Sequence, residues 1–445
     1  MRNTIFVFGI ICFGLVLRLA IFCVSPPNNS FDDHLEPIMI YKNSMNIPLP
    51  NQCWECYQPP VYYGLCAIVL SGAEALDQSK FNSWRLVQLV NPLISVFVLF
   101  LFYRILLQLE VSLQKSLVLL SFLAVLPIDL LTCSMIGNDY LLVLFSVLTF
   151  YSFLRFHNQI IQSGHVGRLN FFLLCFFSVL GALTKQHGLL LIIFPGAALL
   201  LMFKDLSWRG RLLFSTMVLM AIISSLSNEI MKFRATGKFL VSNQDFYNYT
   251  EGQFPGAISR VEFFTFRFYN LMKAPFMSEQ TSASFITEIF ARIFFDYEWR
   301  FTSPHANGAI IAGQVAYVFG AFWVLYFVIL LIIRCRGFTR NSLQLLRFNS
   351  FFTVSAIVLI FFALVPFVQT LRFPYFSSMK ATFFLPGVVL FLALIGKYLM
   401  KTTNKTMDYS LIVINLSFGI YFVLIIYEKL PFSLSQLSGP LWSIP

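Results

Sequence analysis

Apolar residues along this chain run in long blocks rather than alternating or recurring on a single helical face. Eleven blocks reach membrane-spanning length, near residues 4–24, 86–107, 115–133, 139–156, 169–184, 188–203, 211–227, 309–333, 349–371, 381–400 and 409–428. A hydrocarbon layer of about 30 Å takes roughly 20 helical residues to cross. In lipid the backbone must satisfy its own hydrogen bonds, which a helix does within one segment. The pattern predicts an all-α polytopic membrane protein of about 11 transmembrane helices, with interfacial helices in the first external loop.

A further block, 60–76, is short, opens on Pro59-Pro60 and is interrupted by Glu74. If it lies in the interface without crossing, the loops on the N-terminal side hold fourteen cations: Arg104, Lys115, Arg155, Arg168, Lys204, Arg209, Arg211, Arg334, Arg336, Arg340, Arg347, Lys397, Lys401 and Lys405. The opposite short loops then hold four, Lys185, Arg372, Lys380 and Lys429. The excess of cations on cytoplasmic loops favours this arrangement, with the N-terminus inside. The chain divides into an N-terminal transmembrane module, 1–227, whose first external loop is 25–85; a non-cytoplasmic loop region, 228–308; and C-terminal transmembrane helices, 309–445. The first block lacks a small-residue cleavage site and reads as a retained helix.

At 58% hydrophobic and 11% charged, 445 residues cannot hide their apolar surface in a soluble core. The net charge of +11 reads as anchoring to membrane lipids, not as nucleic-acid binding. Of eight cysteines, six sit in or beside apolar blocks as packing residues. Cys53 and Cys56 stand apart in Cys53-Trp54-Glu55-Cys56 on the expected oxidising face. A local disulfide leads; a zinc half-site with His34 is the sharper alternative.

Chemistry concentrates on the non-cytoplasmic side. Asp32, Asp33 and His34 follow the first block at headgroup depth, where a half-buried carboxylate serves as general base; the plainer reading makes them a cap and first turn of a surface helix. Glu55 offers a second acid or metal ligand. Gln58, Tyr62 and Tyr63 suit a sugar-lined site or an aromatic interfacial belt. Asn138 and Asp139 open a helix, as a cap or as groups orienting a substrate hydroxyl or metal. Lys185 and His187 occupy a tight turn at the boundary, and Arg372 and Lys380 bracket another. Such cations bind lipid phosphate, or simply snorkel. Aromatic and polar runs at 243–249 and 295–300 suit stacking on sugar rings or loop packing. Asn28-Asn29-Ser30 and Asn248-Tyr249-Thr250 match the glycosylation acceptor pattern.

Taken in order, the acidic pair after the first span, Pro59-Pro60-Val61-Tyr62-Tyr63, Asn138-Asp139 and Leu183-Thr184-Lys185 before Gly188 resemble the GT-C fold membrane glycosyltransferases. The lipid A aminoarabinose transferases and protein O-mannosyltransferases are the most similar in kind. The resemblance covers the first 200 residues or so by motif and the rest by span layout. It implies inverting transfer from a polyprenyl-phosphate sugar donor to a lipid, glycan or protein acceptor, with Asp32 as base and Asp33 as its neighbour. Two motifs depart from the family's form. Its His-Pro-Pro reads Gln58-Pro59-Pro60, and its Arg-Tyr before a proline is replaced by Lys380-Ala381-Thr382-Phe383 before Pro386, which leaves Lys380 to take the phosphate contact. No cofactor is certain; a divalent metal stays open. The competing class is a multi-span transporter of solutes or lipid-linked sugars. Against it stand the two long external loops and the lack of an inverted repeat; a non-catalytic scaffold is the third reading.

Overall fold

The computed structural model describes residues 2–76, 79–163, 167–247, 259–302, 307–336, 350–373, 379–400 and 404–429. Asn248-Tyr249-Thr250, Arg340, Arg347 and Lys401 lie outside the described residues. Among the described residues every regular element is helical. In chain order these are α1 Arg2–Val24, α2 Leu35–Ser44, α3 Val61–Ala75, α4 Lys80–Gln108, α5 Leu113–Val125, α6 Pro127–Thr132, α7 Asp139–Ser163, α8 Arg168–Ala182, α9 Ile193–Met202 and α10 Trp208–Thr236. There follow α11 Arg260–Phe264, α12 Phe268–Lys273, α13 Glu279–Ser282, α14 Phe285–Phe294, α15 Asn307–Arg336, α16 Ser350–Arg372, α17 Leu385–Leu394 and α18 Lys405–Lys429.

Among the described residues eight helical stretches are long and apolar enough to cross a membrane: those of α1, α4, α7, α10, α15, α16 and α18, and Ala381–Leu399, which contains α17. The chain is an integral multi-pass membrane protein. Three of the eleven expected spans are shorter pieces. The block 115–133 breaks at Leu126, which is extended at ψ 118° because Pro127 follows and opens α6. The block 169–184 yields only the 15-residue α8. The block 188–203 begins as a 3₁₀ turn over Gln186–Ile192 before α9. There Gly188 lies so close to α8 that a Cβ would fall 2.1 Å from the Gly181 carbonyl oxygen, an approach open to glycine alone. Helix α3, at 15 residues, reaches about 22 Å and is too short to span.

The loop expected from 228 begins later. Helix α10 continues to Thr236 and ends on Gly237 in the left-handed region, φ 72°, whose N–H donates to the Phe233 carbonyl at 2.8 Å. Its last polar residues stay helical because they pair: Lys232 lies 2.5 Å from Glu229, and Gln186 donates to Glu229 at 3.2 Å.

A continuous core joins α1, α4, α5, α7, α17 and α18. Within it Arg18 is fully buried, ion-paired with Asp129 and bonded to Ser95; it also donates to the Gly14 and Ala124 carbonyls, both at 3.0 Å. Tyr140 donates to the other Asp129 oxygen. A charge in the apolar interior is tolerable only when partnered in this way, and the cluster pins α1 to α4, α6 and α7.

Candidate active site

The site is framed by one polar stripe. On α4, Arg85, Gln88 and Asn91 recur at intervals of three and so share a helix face. Arg85 donates to the carbonyls of Phe22 (2.8 Å) and Ser25 (2.5 Å), Gln88 to those of Ser25 (3.1 Å) and Ser134 (2.5 Å), and Asn91 to those of Met135 (2.8 Å) and Gly137 (2.9 Å). The root of the loop that follows α1 and the turn leading into α7 thus hang from the same helix.

Within that loop, Asp33 is exposed and accepts from the Leu35 and Glu36 N–H groups at 2.9 and 3.3 Å. It starts α2, as a capping carboxylate does. Further on, Cys53 and Cys56 form a disulfide, so the zinc half-site built on these thiols is set aside: their sulfurs are bonded to each other. The bridge closes a tight turn that presents Trp54 and Glu55. Trp54 Nε1 donates to Asp32 at 3.5 Å, and its ring packs on Tyr247 at 5.4 Å. Val61 N–H donates to the Leu183 carbonyl at 3.0 Å, tying the head of α3 to the turn before Lys185.

Tyr62 and Tyr63 are fully buried and serve as props rather than as a ligand-facing surface or a lipid belt. Tyr62 OH accepts from Gly137 N–H at 2.8 Å, and Tyr63 OH bonds His34 Nδ1 at 3.0 Å. Their packing with Ile38, Cys66, Trp84 and Leu141 makes a second small core under α2 and α3.

Two acid–lysine pairs occupy the centre. Asp32 is ion-paired with Lys380, which precedes the 3₁₀ turn Ala381–Phe384. Asp139, first residue of α7, is paired with Lys185 at 2.6 Å, and the Lys185 ammonium also lies 5.4 Å from the Phe383 ring centre. His187 packs edge-on against the same ring at 5.3 Å. Burial is the largest single influence on Asp32 and favours its neutral form, but Lys380, with His34 and Lys185 behind it, holds the carboxyl well below the usual range. His34 is pushed down to about 4, chiefly by burial, so its imidazole is neutral at pH 7. Glu55 is pushed well up by burial and by the Asp32 charge, favouring the protonated acid.

Asp32, His34 and Glu55 each offer one atom within 4.8 Å of the other two. The Asp32 carboxylate, the neutral His34 imidazole and Glu55, which would give up its proton on binding, are a donor set that a divalent ion of the zinc or manganese type accepts. Nearby, Gln58 Oε1, Asn138 Oδ1 and His187 Nε2 are buried without a hydrogen-bond partner among the described residues. Such atoms are uncommon in a folded protein; the two amide oxygens suit a ligand that donates, and the imidazole nitrogen donates or accepts according to its tautomer.

Arg372 goes elsewhere: it is half exposed and faces Asp245 at 3.7 Å. Sequence reasoning passed over Arg292. Burial places it in a pocket with Phe31, Thr132, Tyr297, Glu298 and Lys380, ion-paired to Glu288 at 2.7 Å and to Glu298. It also passed over Arg18 and Asp129, although a charge inside an apolar block was the available signal.

No protein-family model matches the sequence, and no curated protein sequence matches it either. Among solved structures, ArnT from Cupriavidus metallidurans bound to undecaprenyl phosphate is similar over 87% of this chain and 77% of its own, at 13% identity and TM-score 0.37. The same protein in the apo state gives 88% and 77%, again at 13% identity and TM-score 0.37. The oligosaccharyltransferase of Archaeoglobus fulgidus, in complex with zinc and sulfate, is similar over 95% of this chain and 53% of its own, at 11% identity and TM-score 0.40. Likenesses of this degree fix neither substrate nor chemistry, which rest on the geometry above.

Proposed function

We propose that this protein is a membrane glycosyltransferase of the GT-C kind, transferring a sugar from a polyprenyl-phosphate donor to a lipid, glycan or protein acceptor on the non-cytoplasmic face, with inversion. The observation that carries the reading is the meeting of a carboxylate, Asp32, with two lysines, Lys380 paired to it and Lys185 beside it on Asp139, in one cluster at the ends of an apolar bundle. Asp32 takes the proton of the acceptor hydroxyl as its oxygen attacks the anomeric carbon from the face opposite the phosphate. The anomeric C–O bond breaks, positive charge develops on the ring, and the polyprenyl phosphate leaves as an anion, so no strong general acid is needed. Lysine cations stabilise the departing phosphate. Asn138 Oδ1 and Gln58 Oε1, buried acceptors without partners, suit the hydroxyls of the sugar.

Asp32, His34 and Glu55 are the residues that would hold a divalent metal, whose positive charge would draw a phosphate or sugar oxygen into the site. Metal analysis of the purified protein, with His34→Ala as the control, checks it: stoichiometric metal lost in the variant supports the site, and equal trace content in both rejects it.

The reading is tested by purifying the protein in mild detergent, identifying the lipids that accompany it, and following sugar release from a polyprenyl-phosphate sugar. Release that falls at least about a hundredfold in a well-folded Asp32→Asn variant supports it. Bulk phospholipid alone, with no release by either protein, moves the reading to transport or scaffolding.

A further inference from the structure

The cations within reach of the site are already spoken for. Lys380 is on Asp32, Lys185 on Asp139, Arg372 faces Asp245, Arg292 is divided between Glu288 and Glu298, and Arg300 faces Glu298 at 3.6 Å while donating to the Ser30 carbonyl. A phosphodiester entering this cluster brings one negative charge to a set of groups that already balance. It gains a cation only if one of these pairs opens.

The pairs differ in how readily they open. In Lys185–Asp139 the side chains are 7% and 13% exposed, and the pair ties the turn after α8 to the start of α7. In Lys380–Asp32 they are 21% and 19% exposed. A lysine ammonium is a point charge on a four-carbon stem and can change partner without the planar constraint of a guanidinium. Lys380 also lines a pocket with Phe31 and Thr132 whose lining does not include Asp32. Trp54 donates at 3.5 Å to the Asp32 oxygen that Lys380 does not hold, a contact independent of the lysine.

We propose that Lys380 is an exchange residue: it rests on the Asp32 carboxylate and transfers to the phosphate of the incoming lipid, so that arrival of the donor itself uncovers the base. The inference rests on the reading of the preceding subsection and deepens it. No bond is made or broken in the exchange; one ion pair is traded for another, and the displaced carboxylate becomes available to the acceptor hydroxyl. Without donor, Asp32 is covered, so an acceptor alone meets no free base.

The exchange predicts a coupling that a fixed lysine does not. Binding of a polyprenyl phosphate is measured in detergent with excess chelator, so that no metal bridges Asp32 to the phosphate; the matching unphosphorylated polyprenol is the second arm. Lys380→Gln is expected to weaken phosphate binding about tenfold, the worth of one charge-assisted hydrogen bond. Asp32→Asn, which frees the lysine in advance, is expected to tighten it by about threefold to tenfold. In the double variant the tightening disappears, and polyprenol binding stays level across all four proteins. Thermal unfolding of each variant, both side chains being partly exposed, shows that they remain folded. Tightening that survives in the Lys380→Gln background reports only removal of a repelling carboxylate and overturns the exchange, as does Asp32→Asn with unchanged affinity; the donor reading stands in both cases. Equal binding of phosphate and polyprenol by every protein overturns the donor reading itself, and the exchange with it.

Discussion

Lys185 Nζ lies 2.6 Å from an Asp139 carboxylate oxygen, both side chains nearly buried, so two segments 46 residues apart in sequence are held as one charged unit. Removing one partner strands the other. Lys185→Met is expected to cost about 3–5 kcal/mol, and Lys185→Met/Asp139→Asn to recover much of that. Thermal unfolding in detergent reads both; a double variant as unstable as the two single losses combined would sink the pairing argument.

Arg18 spends its donors on Ser95, Asp129 and two backbone carbonyls. Arg18→Lys keeps the charge but not the fork, and its three donors leave at least one of the four acceptors unserved. A loss of about 2 kcal/mol is expected, measured as a lowered unfolding midpoint with no change in which lipids bind. An unchanged midpoint would mean that the lost contact contributes nothing.

The Cys53–Cys56 bridge encloses a very short loop, for which chain entropy gives about 2 kcal/mol. Cys53→Ser/Cys56→Ser is therefore expected to fold while losing order around Trp54 and Glu55. Thiol alkylation of wild-type protein in intact cells, before and after reduction, also reports the compartment. Both thiols labelled without reductant would place this loop on the reducing side and reverse the expected orientation.

Glu288 is fully buried, and burial raises its pKa, offset only in part by Arg292 at 2.7 Å. A raised value in the folded state means that the folded protein holds this proton more tightly than the unfolded chain. The stability it contributes is fully present below the unfolded value of about 4.3 and is lost as pH rises through the folded one. Glu288→Gln imitates the protonated form. It is expected to match the wild type near pH 4 and to exceed it near pH 8 in unfolding midpoint; a variant weaker than wild type at pH 8 would show that the ion pair outweighs burial.

Part of the candidate site could be read from the chain because its members are polar residues that border apolar blocks. Asp32, Asp139 and Lys185 were legible in this way. Pairing was not: Lys380 meets Asp32 across 348 residues, and neither periodicity nor charge pattern reports a contact of that length. Tyr62 and Tyr63 read as surface aromatics, since a composition suited to the interface is equally suited to a small core. The tail of α10 read as loop because Asn228, Glu229 and Lys232 look soluble one by one; only the fold supplies the partners that keep them helical. The break at Pro127 was visible as a residue, yet hydropathy averaged over a window runs straight through it.

Helix α4 grips its neighbours by their backbone carbonyls at positions 22, 25, 134, 135 and 137, with Arg85, Gln88 and Asn91 supplying the donors. A carbonyl is present whatever the side chain. The residues on those two segments can therefore be exchanged without loosening the grip, and the chemistry they display is free to diverge while its placement is kept. Descendants of this chain could change the groups that hang from the stripe, and with them the ligand, so long as the three donors on α4 remain.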